Sequence, residues 1–300
     1  MGGSSKQNRR LSAVARHLLL LPTHRFAAAA AGDSSSDDGW AEIDSLFADY
    51  FAEGATAPGC AYGVLVDGKL VHTGGMGTLR VGEDAIPGPD SIFRIASMSK
   101  SFVAAAVMLL RDEGVLQLDD PVEKWVPQLK GLPLATLDSR PPTLRQLMSM
   151  SSGLPEDDPW ADRLESLPED DYTALIAEAK TFGRATGAAY EYSNLGFTLL
   201  GRAIGNATGR PTLEFIRERL ITPLGMMDTH WSNLELDEAG EARLALGYHR
   251  VDGEWVAQPI QQPGAFSALG GLYSTVSIMI WARPPLPTPH LCPRSVSLSG

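Results

Sequence analysis

Ser97-Met98-Ser99-Lys100 sets a serine hydroxyl and a lysine amine three residues apart. On a helix that spacing sends both side chains out of one face, close enough to share a proton. The preceding Ile92-Phe93-Arg94-Ile95 is short and apolar, and Phe102 to Leu110 is an unbroken run of apolar helix formers, so Ser97 is expected at the first turn of a buried helix. A serine hydroxyl is a weak nucleophile at neutral pH, and a lysine desolvated in a pocket is a base able to activate it. Amides at the helix start could stabilise an oxyanion formed beside Ser97. Ser-x-x-Lys alone is a weak motif. It gains weight from Tyr192-Ser193-Asn194, the single Tyr-x-Asn of the chain. A tyrosine near this pair can relay the proton as acid or base, and an asparagine amide can hold a substrate carbonyl or amide.

Other candidate chemistry is thin. The chain has no Gly-x-Ser-x-Gly, so the nucleophile elbow of an α/β-hydrolase is absent. Ser99 and Ser101 are expected to be no more than polar residues of an early helical turn. The histidines, His17, His24, His72, His230, His249 and His290, form no pair at helical spacing, and surface or loop positions are expected for each. Glu156-Asp157-Asp158 and Glu169-Asp170-Asp171 are acidic runs in a loop-rich region; a solvated face is the default and calcium binding a minor alternative. Glu191, beside Tyr192, either tunes the site or is exposed.

Ile43, Leu46, Phe47 and Tyr50 lie on one face of a predicted helix over Trp40 to Phe51. Two strands follow, Ala61 to Val66 and Leu70 to Thr73, joined by the hairpin signal Asp67-Gly68. The nucleophile helix runs to about Asp112, with Gly114 placed to end it. Thr143 is placed to cap a helix through Met150, Asp171 to start one through Lys180, and Thr212 to cap one through Leu220. Asn194 to Ile204 reads as an apolar helix ending near Gly205, and Tyr248 to Val256 as a hairpin turning at Asp252-Gly253. No internal repeat is present. The expected fold is α+β: an antiparallel sheet flanked by helices, with an all-helical lobe inserted after the second strand and the site between lobe and sheet.

Composition fits a folded domain, with 44% hydrophobic and 20% charged residues. The formal net charge of -11 argues against a nucleic-acid partner, whose phosphates require lysine and arginine. Cys60 and Cys292 stand far apart and no disulfide is expected. No metal-ligand spacing occurs and no cofactor is implied. Residues 1 to 38 form a separate extension. Its first 32 residues lack acids and carry Lys6, Arg9, Arg10, Arg16 and Arg25, with short apolar runs at Leu18 to Leu21 and Ala27 to Ala31. This is a weak leader-like pattern, interrupted by Pro22, His24 and Arg25, which leaves cytoplasmic and exported locations both open. Ser34 to Asp38 reads as a linker. No stretch approaches the ~20 apolar residues of a membrane-spanning helix.

The order Ser-x-x-Lys then Tyr-x-Asn resembles the penicillin-recognising serine hydrolases, in the branch of class C β-lactamases, D-alanyl-D-alanine carboxypeptidases, D-aminopeptidases and related esterases. Further segments agree. Pro58-Gly59-Cys60-Ala61 leading into Val64 to Lys69 is similar to the family's opening strand pair. Thr143-Leu144-Arg145-Gln146-Leu147 with Ser152-Gly153-Leu154 resembles its Thr-Leu-Arg and Ser-Gly-Leu segment, and Gly270-Gly271-Leu272-Tyr273-Ser274-Thr275 its later turn. The likeness runs from about Trp40 to about Ile280. It implies the β-lactamase/DD-peptidase-like fold over residues 39 to 280. It also implies acyl-enzyme hydrolysis of an amide or ester bond in a small molecule or peptide: Ser97 as nucleophile, Lys100 and Tyr192 managing its proton, and Asn194 binding substrate. The substrate stays open among β-lactams, D-amino acid peptides and esters.

The family pattern also includes a third element, a strand reading Lys-Thr-Gly or His-x-Gly, well beyond the Gly270 to Thr275 turn. Residues 281 to 300, with Pro284, Pro285, Pro287, Pro289 and Pro293, supply no such strand. They are expected to be an irregular proline-rich tail on an incomplete domain that lacks its C-terminal strands. The alternative reading of the chain is therefore a non-catalytic remnant or a ligand-binding pseudo-enzyme.

Overall fold

The computed structural model describes residues 36–52, 57–157, 162–178 and 182–278. Most of the N-terminal extension, the end of the predicted Asp171–Lys180 helix, Cys292 and the proline-rich tail lie outside the described residues. In chain order the main elements are α1 (Ser36–Ala52), β1 (Gly59–Val66), β2 (Lys69–Gly77), β3 (Phe93–Arg94), α2 (Ser99–Asp112), α3 (Leu144–Met148), α4 (Glu169–Glu178), α5 (Asn194–Thr208), α6 (Thr212–Ile216), α7 (Glu238–Ala242), β4 (Tyr248–Val251), β5 (Glu254–Ala257) and β6 (Tyr273–Ser274). They form two compact units, one running up to Ser91 and including Tyr248–Gln258, the other comprising Ile92–Gly247 and the chain from Pro259 onward. No described helix is long and apolar enough to cross a membrane.

In the first unit, β1 and β2 form the expected antiparallel hairpin, pairing Val66 with Lys69 across the turn. Asp67 and Gly68 both take positive φ, 50° and 75°, the backbone whose twist matches the flanking strands. The same chemistry recurs at Asp252 and Gly253, φ 51° and 93°, which join β4 to β5. Helix α1 begins at Ser36, so Ser36 to Asp38 are helical rather than linker. Its apolar face meets the hairpin: Ile43 is buried, Phe47 stacks on Tyr62 at 3.8 Å and Trp40 on His72 at 5.1 Å. Asp44 locks the contact, accepting hydrogen bonds from the Tyr62 hydroxyl and His72 Nε2, both at 2.6 Å. Burial acts to raise the Asp44 carboxyl, but these two bonds and the imidazole charge outweigh it and hold the group below its usual range.

The second unit is largely helical around its main hydrophobic cluster. Phe102, Val103, Ala106, Val107 and Leu110 of α2 are buried together with Leu199, Leu200, Ala203 and Ile204 of α5. Thr143 caps α3 with a reciprocal capping box to Gln146, and Gly114 (φ 74°) follows the end of α2 as expected. Several boundaries differ from expectation: α3 ends at Met148 rather than Met150, and α4 begins at Glu169 rather than Asp171. Helix α5 runs through Gly205 to Thr208 and ends where Gly209 enters the left-handed region at φ 66°; at Gly205 a Cβ would approach Thr212 Oγ1 at 3.1 Å, so the absence of a side chain lets the two segments pack closely. Thr212 does not cap α6: the N-cap is Pro211, and the Thr212 hydroxyl donates instead to the Gly201 carbonyl at 2.5 Å. The helix then widens into a π turn over Arg217–Ile221. Where one antiparallel sheet was expected, the described residues form three separate two-stranded ladders, β1 with β2, β3 with β6 and β4 with β5.

The depressed Asp44 carboxyl contributes stability that is present above the unfolded pKa, about 3.9, and is lost as pH falls through the folded value. The difference in melting temperature between the parent chain and Asp44→Asn is therefore expected to be greatest at about pH 5 and above and to shrink below about pH 4. Scanning calorimetry across that range checks it; a difference that grew on acidification would contradict it.

Candidate active site

All four residues singled out by the sequence belong to the second unit, and the structure brings them together. Ser97 lies not in the first turn of α2 but in a tight 3-10 turn, Ala96–Met98, that precedes it. The turn is entered through Ala96, whose φ of 47° is unusual for a residue with a Cβ. This lifts Ser97 into an exposed position while the helix behind it is buried. Its Oγ is 2.7 Å from the Tyr192 hydroxyl and accepts a hydrogen bond from Lys100 Nζ at 3.0 Å.

Lys100 is 6% exposed. Its Nζ also donates to Asn194 Oδ1 at 2.7 Å and to the Leu269 carbonyl at 2.6 Å, so three acceptors meet the three N–H bonds of an ammonium. The rings of Tyr192 and Phe197 flank it, their centroids 5.0 and 5.8 Å from Nζ, an arrangement favourable to a cation. The arrangement can pass a proton between Ser97, Tyr192 and Lys100 without large motion, as general acid-base catalysis requires.

Several positioning residues were not legible in the sequence. Ser99 is fully buried, and its Oγ accepts the Leu272 amide at 3.0 Å while the Leu272 carbonyl accepts Ile95 N at 2.8 Å. The strand end around Leu272 is thus fastened to both sides of the turn that carries Ser97. Behind it sits Glu165, 2% exposed and ion-paired with Arg94 of β3. Gly271 packs so closely that a Cβ there would lie 2.5 Å from Glu165 Oε1 and 3.0 Å from Ser267 Cβ. Burial and the Glu165 carboxylate push the Tyr273 phenol up, with Arg94 pulling in the opposite direction.

Asp157, expected on a solvated acidic run, is buried and accepts the backbone amides of Asn194 and Leu195, both at 2.7 Å. No local pattern announces this, since the cap comes from a loop remote in sequence from the helix it serves. Glu169-Asp170-Asp171 does form the exposed first turn of α4. Glu191 is directed to Arg184, with Oε2 accepting from Nε at 2.5 Å. The described histidines are engaged elsewhere: His72 with Asp44, His230 with Glu235 and His249 with Gln258.

A family model described as Beta-lactamase matches residues 47–281, and the chain belongs to that family. It is 30% identical over 242 residues to the D-alanyl-D-alanine-carboxypeptidase/endopeptidase AmpH of Escherichia coli K12, a match covering 80% of this chain and 60% of the relative. The chain therefore spans less than two thirds of that relative's length. Among solved structures it resembles the octameric penicillin-binding protein homologue from Pyrococcus abyssi, with TM-score 0.68, 29% identity and coverage of 80% of this chain and 55% of the other. The β-lactamase/D-alanine carboxypeptidase from Yersinia pestis superposes with TM-score 0.61 at 28% identity, covering 78% and 64%. The fold is that of the β-lactamases and DD-peptidases.

Replacing Gly271 by alanine forces a methyl group against a buried, ion-paired carboxylate. A loss of about 1–3 kcal/mol in unfolding free energy is expected, the usual range for overpacking. Gly270→Ala, whose added carbon would meet the Ala96 backbone at 3.3 Å, should cost less. Denaturant melts of the two variants test the order.

Proposed function

We propose that this chain is a serine hydrolase that works through an acyl-enzyme on amide or ester bonds. Ser97 Oγ attacks the substrate carbonyl carbon, forming the new C–O bond as its own proton passes to the Lys100–Tyr192 pair, which before attack carries one proton fewer than an ammonium and a phenol together, as a phenolate beside the ammonium or an amine beside the phenol. The same pair returns a proton to the departing amine or alkoxide when the tetrahedral intermediate collapses. Water then attacks the ester to Ser97 and releases the acid. The Ser97 amide, at the entrance to α2, is assigned to the oxyanion. Asn194, whose Oδ1 accepts from Lys100, is assigned to substrate binding.

One observation carries this reading: the convergence of the Tyr192 hydroxyl at 2.7 Å and Lys100 Nζ at 3.0 Å on a single exposed serine oxygen. The relatives support the reaction class, among them a D-alanyl-D-alanine carboxypeptidase/endopeptidase and a D-amino acid amidase. They leave β-lactams, D-amino acid peptides and esters as the substrate classes to compare.

A fluorescent penicillin or a fluorophosphonate is expected to label Ser97 covalently, with Ser97→Ala abolishing the adduct and leaving the fold intact. Lys100→Ala and Tyr192→Phe should each slow labelling by roughly two to four orders of magnitude, the range for lost acid-base groups, without greatly weakening non-covalent binding. Peptide mapping by mass spectrometry decides the matter. An adduct on another serine, or a folded chain that takes no label, would overturn the assignment and favour a ligand-binding protein.

A further inference from the structure

We infer that Asp157 is a positioning residue for acylation, acting through the Tyr192–Asn194 turn; this rests on the serine-hydrolase reading above. Asp157 is 1% exposed, so its carboxylate is tolerable only with strong partners. It has them in the first amides of α5: Oδ1 accepts Asn194 N and Oδ2 accepts Leu195 N, each at 2.7 Å, with the Ser193 hydroxyl 3.5 Å from Oδ2. Ser193 itself is the N-cap and accepts Gly196 N at 3.3 Å. The first three amides of the helix are thereby satisfied, two of them by a charge at the positive end of the helix dipole.

The same loop holds the turn at its other end. The Glu191 amide donates to the Met150 carbonyl at 2.8 Å, so Tyr192 lies between an anchor at Met150 and an anchor at Asp157. Both side chains assigned to chemistry leave this clamped stretch: Tyr192 toward Ser97 and Asn194 toward Lys100. A carboxylate is specifically suited to the second anchor because it offers two acceptors to two parallel N–H bonds. An asparagine side chain in its place offers one acceptor and turns an NH2 donor against the second amide. The backbone at Asn194 would shift. Displacement of a reacting group by about 1 Å can cost about 100-fold in rate.

The test compares covalent labelling of Ser97 by a fluorescent penicillin in the full chain, Asp157→Asn, Asn194→Ala and the double variant. Saturation kinetics separate the acylation rate from the prior binding step. Asp157→Asn is expected to lower the acylation rate roughly 100-fold with the binding constant changed less than about threefold. In the double variant the loss should fall at least tenfold short of the product of the two single losses, as coupled residues do. Hydrogen exchange gives a readout independent of chemistry: the Asn194 and Leu195 amides should lose protection while the middle of α5 keeps it. Thr143→Ala, which removes a cap from α3 remote in role from the site, serves as the destabilised control and should acylate within about threefold of the parent.

Should Asp157→Asn fail to fold, Asp157→Ser, whose hydroxyl can still accept one amide bond, replaces it with the same expected split. Unchanged acylation in a folded Asp157 variant would overturn the proposal alone, as would strictly multiplicative losses or a loss matched by Thr143→Ala. A parent chain that no probe labels at Ser97 would overturn the hydrolase reading and this inference with it.

Discussion

The second unit is organised around one buried amine. An ammonium withdrawn from water costs many kcal/mol unless its donors are met, and removing a partner from a buried charge costs more than the pair contributes when intact. Lys100 meets this constraint with acceptors from separate parts of the chain: the Ser97 hydroxyl at the start of α2, the Asn194 amide at the start of α5, and the Leu269 carbonyl in the turn before β6. Those three places are fixed relative to one another because they share a charge none can release cheaply. The packing of α2 against α5 supplies the apolar surroundings that make the charge expensive and hence the geometry specific.

Around that centre the backbone is held where side chains alone could not hold it. Ala96 sits in the left-handed region, a conformation that costs of order 1–3 kcal/mol and persists only when the surroundings over-determine it. Here the surroundings are the two bonds of Leu272 to Ile95 and Ser99, one on each side of the turn, with the Arg94–Glu165 pair and Gly271 packed behind. The strained residue lies directly before Ser97. Its effect is to present Ser97 outward at a point from which α2 runs inward.

What could be read along the chain was what depends on neighbours in sequence. The Asp67-Gly68 and Asp252-Gly253 turns, the Thr143 cap with Gln146 three residues on, and the close of α2 near Gly114 are local contests between a few backbone conformations, and residue type decides them. Thr212 shows the limit of that logic: as a helix-start threonine it suggested a cap, yet a nearby carbonyl at Gly201 offered its hydroxyl a better partner. Asp157 shows it again. In sequence it is one acid among several, and burial against the amides of a distant helix gives it a distinct role.

The sequence by itself singled out the candidate groups, a serine and lysine three residues apart and a Tyr-x-Asn to set beside them, because those side chains carry their reactivity wherever they are placed. It also determined most of the helices and both long hairpins, through periodicity and turn residues. Tertiary structure alone decided that Ser97 precedes its helix in a strained turn, that Ser99 fastens Leu272, and that Asp157 and Glu165 are buried with specific partners. Each of these is a contact between segments far apart in the chain, and its free energy exists only once the core has closed and removed the competing water.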